Sequence, residues 1–294
     1  MMLSIIIPVA REGLTLYDRI RLFQKELEKL AREYRFQSEI ILVSDVLHAP
    51  TIKAMKMLAE QRIAKCFLLT KRIGKGGSIK NIIPYSRGDY LVLLDADLPV
   101  SVEIVVKAAF IASRSRAELL VANRVYREHA LIRRILSIGY NALVNILFRT
   151  GLKDHQAGFK ILSRRAAEII LRRRTRTDGL TYDTEVIVWA KKHGFKTKII
   201  NVIWKEVRAS SNIPPLRAML TMLADLIMLR LTSIGIKYVA LQGLLVGKII
   251  ELSTMKTIGE EFITVIRASG LKKYVLNVLR KLYLIVAFRR KQEE

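Results

Sequence analysis

Gly88-Asp89-Tyr90-Leu91-Val92-Leu93-Leu94-Asp95-Ala96-Asp97-Leu98-Pro99 holds an apolar run, residues 90–94, that stops abruptly at two carboxylates. The run is too short for a helix and reads as a buried strand. Two carboxylates spaced like Asp95 and Asp97 at a strand's end can reach one hard cation and leave its other positions to diphosphate oxygens. The same pair also suits a solvated turn. Outward from this stretch, apolar strands recur at residues 3–9, 39–44, 66–69 and 118–122. Between them, helical spacing appears at 14–34 (Leu16, Ile20, Phe23, Leu27, Leu30), 51–61, 77–86 and 101–114. Ser101 is placed to cap the last of these, with Glu103 in its first turn. Repeated strand–helix units with continuous apolar strands predict an α/β fold, a mostly parallel sheet with helices on both faces. Such sheets bind ligands beyond the carboxyl ends of their strands. The loops after Val9, Val43, Leu69 and Leu94 are therefore the expected site.

The second half is less regular. Residues 130–148 read as a long amphipathic helix, 158–162 as a short apolar segment, 183–193 as a helix and 197–204 as a strand. From Pro214 everything reads as helical: 216–231, 237–252, 259–268 and 272–290. Ser210-Ser211-Asn212-Ile213-Pro214-Pro215 is the best boundary signal, dividing a domain at 1–213 from a helical C-terminal appendage at 214–294.

Composition narrows the function. Hydrophobic residues make up 51% of the 294, which excludes a disordered chain. Lys and Arg number 51 against 26 Asp and Glu, a net charge of +25. Such a chain seeks polyanions: nucleic acid, an anionic membrane surface or phosphorylated small molecules. The one cysteine, Cys66, excludes an intramolecular disulfide and reads as a buried strand thiol. His155 and His193 show no zinc-ligand spacing and read as structural. The N-terminal apolar run is too short for a signal peptide, and no stretch reaches the ~20 apolar residues of a spanning helix. The expectation is a cytoplasmic protein, or one peripheral to a membrane.

Residues 70–78, Thr-Lys-Arg-Ile-Gly-Lys-Gly-Gly-Ser, read as a Gly-rich basic loop between a strand and a helix. Its glycines allow close backbone approach to a phosphate and Lys75 supplies charge. A flexible surface turn would look similar. It is not a Walker A loop, and no GxGxxG opens the first helix. With these segments in order, the chain resembles the family 2 glycosyltransferases of the GT-A (Rossmann-like) fold, and within them the polyprenyl-phosphate (dolichyl-phosphate) hexose synthases. The resemblance rests on Ser4-Ile5-Ile6-Ile7-Pro8 with Glu12, on residues 39–45, on Ile73-Gly74-Lys75-Gly76 and on the stretch 88–99. It continues in Asp154-His155-Gln156-Ala157-Gly158-Phe159-Lys160, in Tyr182-Asp183-Thr184-Glu185 and in Val202-Ile203-Trp204, covering about residues 3–230. Gln156 and Lys160 lean toward the glucosyl branch. Ala10-Arg11 and Val46-Leu47-His48-Ala49 depart from the family pattern around the base, which leaves UDP and GDP both open.

The resemblance implies inverting transfer of a hexose from a nucleotide-diphosphate sugar to a polyprenyl phosphate, at the cytoplasmic membrane face. It implies Mg²⁺ or Mn²⁺ on Asp95 and Asp97, and a nucleotide sugar on Pro8, Glu12, Asp45, Lys75, Asp95 and Ala96. Asp97, Asp154 and Gln156 are implied in the transfer step, Asp154 as a base or a positioning group. Phosphate-lipid recognition needs cations beside an apolar surface. Arg124 after the fifth strand, Arg133 on the amphipathic helix and Lys205 after Trp204 are the candidates for the acceptor phosphate. The C-terminal helices carry apolar faces flanked by Arg289-Arg290-Lys291, which fits an anionic interface or packing on the core. A related transferase with a glycan or soluble acceptor is the alternative. A nucleic-acid-binding module is disfavoured, since aromatics are only 7% and no RRM, KH or helix-turn-helix signature occurs.

Overall fold

The computed structural model describes residues 1–126, 131–172, 179, 181–204 and 215–233. One compact unit takes in Met1–Arg230, and a second begins at Leu231. Among the described residues of the first unit, seven strands form one sheet. They are β1 (Met2–Val9), β2 (Gln37–Ser44), β3 (Lys65–Leu68), β4 (Tyr90–Leu93), β5 (Leu119–Tyr126), β6 (Lys160–Ser163) and β7 (Thr197–Ile203), in the order β3-β2-β1-β4-β6-β5-β7. β6 runs antiparallel to both β4 and β5; the other pairs are parallel. The apolar pattern at 158–162 predicts a segment but not its direction, because a strand buried on both faces reads the same either way.

The helices are α1 (Thr15–Tyr34), α2 (Ala49–Glu60), α3 (Gly74–Ile82), α4 (Val102–Arg114), α5 (Leu131–Phe148), α6 (Arg164–Ala166), α7 (Tyr182–Lys192) and α8 (Pro215–Ser233). α6 continues as a π-helical stretch, Ala167–Arg172, in a region for which the sequence reading proposes no element. Alternation along β1 sorts the core into two layers. Leu3, Ile5 and Ile7 pack with Leu16 and Ile20 of α1 and Val105 of α4. Ile6 faces the other way, to Ile79 and Ile82 of α3 and Val186 and Ile187 of α7. Each such side chain contributes roughly 1.5–3 kcal/mol on burial, so both faces of the strand hold the fold. A third, smaller cluster joins Tyr140 and Val144 of α5 to Met222 and Leu226 of α8. Helix α8, which the sequence reading assigns to the C-terminal region, thus belongs as far as Arg230 to the first unit.

Three local expectations are corrected. The helix predicted at 77–86 begins at Gly74 and ends in a 3-10 turn, Ile83–Tyr85, where Pro84 interrupts it. β5 runs on to Tyr126, because it stays paired with β7 as far as Tyr126 opposite Ile203. Arg124 is therefore inside the strand and not after it. Ser101 occupies the cap position of α4 in extended backbone, but its side chain makes no capping hydrogen bond. Cys66 is half-buried, and burial pushes its thiol up to about 12. The boundary at 213/214, Lys205 and the helices proposed beyond residue 233 lie outside the described residues. Among the described residues no helix is long and apolar enough to cross a membrane.

Candidate active site

β1 is the point where the strand order reverses: β2 and β3 follow on one side of it and β4 on the other. Open α/β sheets leave a crevice at such a point, beyond the carboxyl ends of the strands. A cleft of about 310 Å³ lies there. Pro8 and Glu12 line it from the end of β1, Asp45 from the end of β2, Lys75 from α3, and Asp95, Ala96 and Asp97 from the end of β4. All four predicted loops contribute. So do all six residues expected on the nucleotide sugar, together with Asp97.

Five of the residues predicted as a Gly-rich loop, Gly74 to Ser78, form the first turns of α3. The cause is tertiary. Asp45 Oδ2 accepts from the Ile73 amide (2.8 Å) and the Gly74 amide (2.6 Å), capping the helix from another strand. Gly77 is closely packed: a Cβ there would lie 3.0 Å from the Ile73 side chain, which would have to give way by a few tenths of an ångström. The first amides of a helix lack intrahelical acceptors and carry its positive dipole end, so this N-terminus still suits an anion.

Lys75 projects from that turn onto two carboxylates. Its Nζ lies 2.8 Å from Asp95 Oδ1 and 2.9 Å from Asp183 Oδ2. The second oxygen of Asp183 is 2.7 Å from Lys160 Nζ, and Lys160 also donates to the Ala157 carbonyl. Burial disfavours the charge on Lys75, but Asp183 and Asp95 outweigh it and hold its pKa above the ordinary lysine value. Burial pulls the pKa of Lys160 below its usual value, with the like charge of Lys75 adding to that and Asp183 opposing it. Asp183 is buried too, yet Lys160 and Lys75 hold its carboxyl below the ordinary range. At the sequence level Asp183 looks like a first-turn carboxylate favoured by the helix dipole. Its partners come from α3 and β6 and leave no local signature.

Asp95, Ala96, Asp97 and Leu98 make a tight turn, closed by Leu98 N donating to Asp95 O at 3.0 Å. Leu98 sits at φ +49°, a conformation a branched side chain rarely adopts. Gly158 presses on this turn: a Cβ there would lie 1.9 Å from Asp95 Oδ2. Two carboxylates on one constrained turn fit a hard divalent cation that takes its remaining ligands from a diphosphate. Among the described residues no group of three or more His, Cys, Asp or Glu side chains could hold a metal ion.

Asp154, Gln156 and Arg124 do not line the cleft. Arg124 forks onto Asp154, with Nε 2.6 Å from Oδ2 and Nη2 2.9 Å from Oδ1, and its guanidinium lies 5.2 Å from the Trp204 ring centroid. The Gln156 amide donates to Asp154 Oδ1 at 3.2 Å, and its side chain donates to Met222 Sδ of α8. A carboxylate clamped on both oxygens by a guanidinium is a poor proton acceptor and a good orienting group. The intervening His155 is fully buried. It bonds Asn141 Oδ1 through its amide and Nδ1, and Thr150 Oγ1 through Nε2. Burial lowers its pKa to about 4, with Asp154 opposing. His193 bonds the Trp189 carbonyl, so both histidines sit in hydrogen bonds of the fold. Arg133 lies in α5, but its side chain falls outside the described residues, as does Lys205.

Residues 4–174 match the family described as Glycosyl transferase family 2. The chain is 28% identical over 207 residues to Glycosyltransferase AglD of Haloferax volcanii, covering 69% of this chain but only 33% of that protein. It is 28% identical over 243 residues to the dolichyl-phosphate beta-glucosyltransferase of Dictyostelium discoideum, covering 78% of this chain and 73% of that protein. It is 29% identical over 246 residues to the human enzyme of the same name, covering 78% and 75%. Among solved structures, glucosyl-3-phosphoglycerate synthase of Mycobacterium tuberculosis, in complex with Mn²⁺, UDP and glucosyl-3-phosphoglycerate, superposes with a TM-score of 0.60 at 15% identity, covering 80% of this chain and 81% of that one. That likeness is one of fold.

Proposed function

The chain belongs to glycosyl transferase family 2 and is a glycosyltransferase; from that premise we propose that it moves a hexose, with inversion, from a nucleotide-diphosphate sugar to a polyprenyl (dolichyl) phosphate at the cytoplasmic membrane face. The observation that carries this reading is the cleft itself, where Lys75, Asp95, Asp97 and the N-terminus of α3 converge beyond the strand ends. Asp95 and Asp97 would hold a divalent cation, Mg²⁺ or Mn²⁺, which would supply neutralising charge to the departing nucleoside diphosphate. Lys75 and the first-turn amides of α3 bind the diphosphate from the protein side. Pro8, Glu12 and Asp45 flank the nucleoside, and Ala96 gives the sugar room beside the acidic pair.

The acceptor phosphate has a second pKa near ~6 and is already ionised at neutral pH, so attack on the anomeric carbon needs no strong base. This suits an Asp154 held by Arg124. Asp154 orients, and Gln156 on the same loop supports it through its backbone amide. Arg133 and Lys205 bring positive charge to the acceptor side, while Arg124, paired with Asp154, serves there by holding that carboxylate. The likeness to dolichyl-phosphate beta-glucosyltransferases supports the lipid phosphate and glucose. The charge of +25 supports peripheral binding to an anionic membrane.

The test is the fate of labelled sugar. UDP-[¹⁴C]glucose and GDP-[¹⁴C]mannose are each incubated with enzyme, Mn²⁺ and dolichyl phosphate, and the mixture is partitioned. Label from UDP-glucose moving into the organic phase is the expected result. Label transferred only to a water-soluble glycan or phosphorylated acceptor, supplied in parallel, overturns the lipid assignment.

A further inference from the structure

Lys160, Asp183, Lys75 and Asp95 form a line of four charges from the interior to the cleft. Lys160 is fully buried, Asp183 nearly so, while the Lys75 and Asp95 side chains are 29% and 33% exposed. Two ammonium groups and two carboxylates make the line neutral as it stands. Asp183 is shared, one oxygen to each lysine. Asp95 offers Oδ1 to Lys75 at 2.8 Å, while Gly158 closes one side of its Oδ2.

We propose that Lys75 is the resident counter-ion of Asp95 and exchanges places with the divalent cation. The inference rests on the reading of the cleft as a nucleotide-sugar site and adds a step of loading to it. When the cation arrives, Asp95 can no longer keep an ammonium group at contact distance, because the two positive charges repel. Lys75 gives up Asp95 and stays on Asp183. Since Asp183 is shared with Lys160, one positive charge in the remaining trio is uncompensated. That charge sits at the N-terminus of α3 and faces the diphosphate. Lys160 therefore acts on the nucleotide without lining the cleft: by claiming half of Asp183 it stops Lys75 from being neutralised. Lys160 and Asp183 are positioning residues, and Lys75 is the group that touches the donor.

The exchange makes predictions of opposite sign, which a merely structural role does not. Mn²⁺ binding without nucleotide is read from the free-ion signal by electron paramagnetic resonance, at fixed ionic strength. UDP binding at saturating Mn²⁺ is read by calorimetry. Lys75→Met removes the competitor, so Mn²⁺ binds about tenfold tighter, while UDP binds about tenfold weaker, one unit charge lost in each case. Asp183→Asn leaves Lys75 resting on Asp95 alone, so Mn²⁺ binds about threefold weaker than to wild type. Mn²⁺ binding that weakens or stays unchanged in Lys75→Met overturns the exchange. Should Asp183→Asn fail to fold, Lys75→Met and Lys75→Gln decide alone. A wild type that binds Mn²⁺ and UDP but fails these signs overturns the exchange and spares the transferase reading. A wild type that binds no UDP overturns both. Correct signs without transfer to lipid overturn the acceptor assignment alone.

Discussion

Gly158 lacks a side chain where Asp95 at the start of the turn leaves no space for one. Gly158→Ala should force Asp95 aside, lowering stability by roughly 1–3 kcal/mol as overpacking does and weakening Mn²⁺-dependent UDP binding. Unchanged UDP affinity in the folded variant, measured by calorimetry, would show that the contact is incidental. Asp97→Ala should remove a cation ligand without disturbing the Lys75–Asp95 pair. Transfer should fall by about two decades, on the order of 3 kcal/mol of transition-state stabilisation, and near-normal turnover would sink the metal assignment. At this scale the acidic pair, Lys75 and Asp45 were legible because they sit on loops at strand ends, where sheet periodicity stops and chemistry shows. Lys160 and Asp183 were legible only as matches to a pattern. A buried charge is defined by its partner, and theirs are brought together by tertiary packing between residues 75, 160 and 183.

Elements carry the next level. The βα alternation of the first half was legible throughout, since continuous apolar strands and 3.6-residue spacing leave few alternatives. The direction of β6, the helical stretch from Arg164 to Arg172 and the start of α3 were not; pairing partners decide the first, and Asp45, accepting from the Ile73 and Gly74 amides, decides the last. α5 shows how an element positions a loop. Asn141 and Asn145 reach from it to His155, Thr150, Gly151 and Leu152, fixing the segment that carries Asp154. The buried His155 makes that anchor pH-sensitive. Its folded pKa of about 4 lies below the unfolded value of 6.5, so between these values the unfolded chain binds a proton that the native one refuses. This contribution is fully present above pH 6.5 and is lost as pH falls toward 4, roughly 3 kcal/mol in all. Denaturant titrations at stepped pH should show this slope in wild type and a shallower one in His155→Gln. Equal slopes would remove His155 from the account.

For the whole molecule, the sheet brings the carboxyl ends of β1, β2 and β4 to a single cleft. The charge of +25 then bears on where that cleft works. Residues 274–288 are apolar around Arg280 and Lys281 and are followed by Arg289-Arg290-Lys291; they lie outside the described residues, and their reading is one of sequence. If they anchor the protein at an anionic surface, each basic residue contributes about 1 kcal/mol, screened by salt, while apolar insertion is not screened. Flotation on anionic liposomes should fall with salt without vanishing, and deletion of residues 271–294 should abolish the salt-resistant part. Flotation unaffected by the deletion would refute the anchor. The central claim, inverting transfer to a lipid phosphate, is tested most directly by the linkage in the product. Enzyme, UDP-glucose, Mn²⁺ and dolichyl phosphate are incubated, and the organic extract is examined by ¹H and ³¹P magnetic resonance. The account predicts a glucosyl phosphate lipid in the β configuration, formed by wild type and missing with Asp97→Ala. An α-linked lipid product, or no sugar in the organic phase while UDP-glucose is consumed, would contradict it.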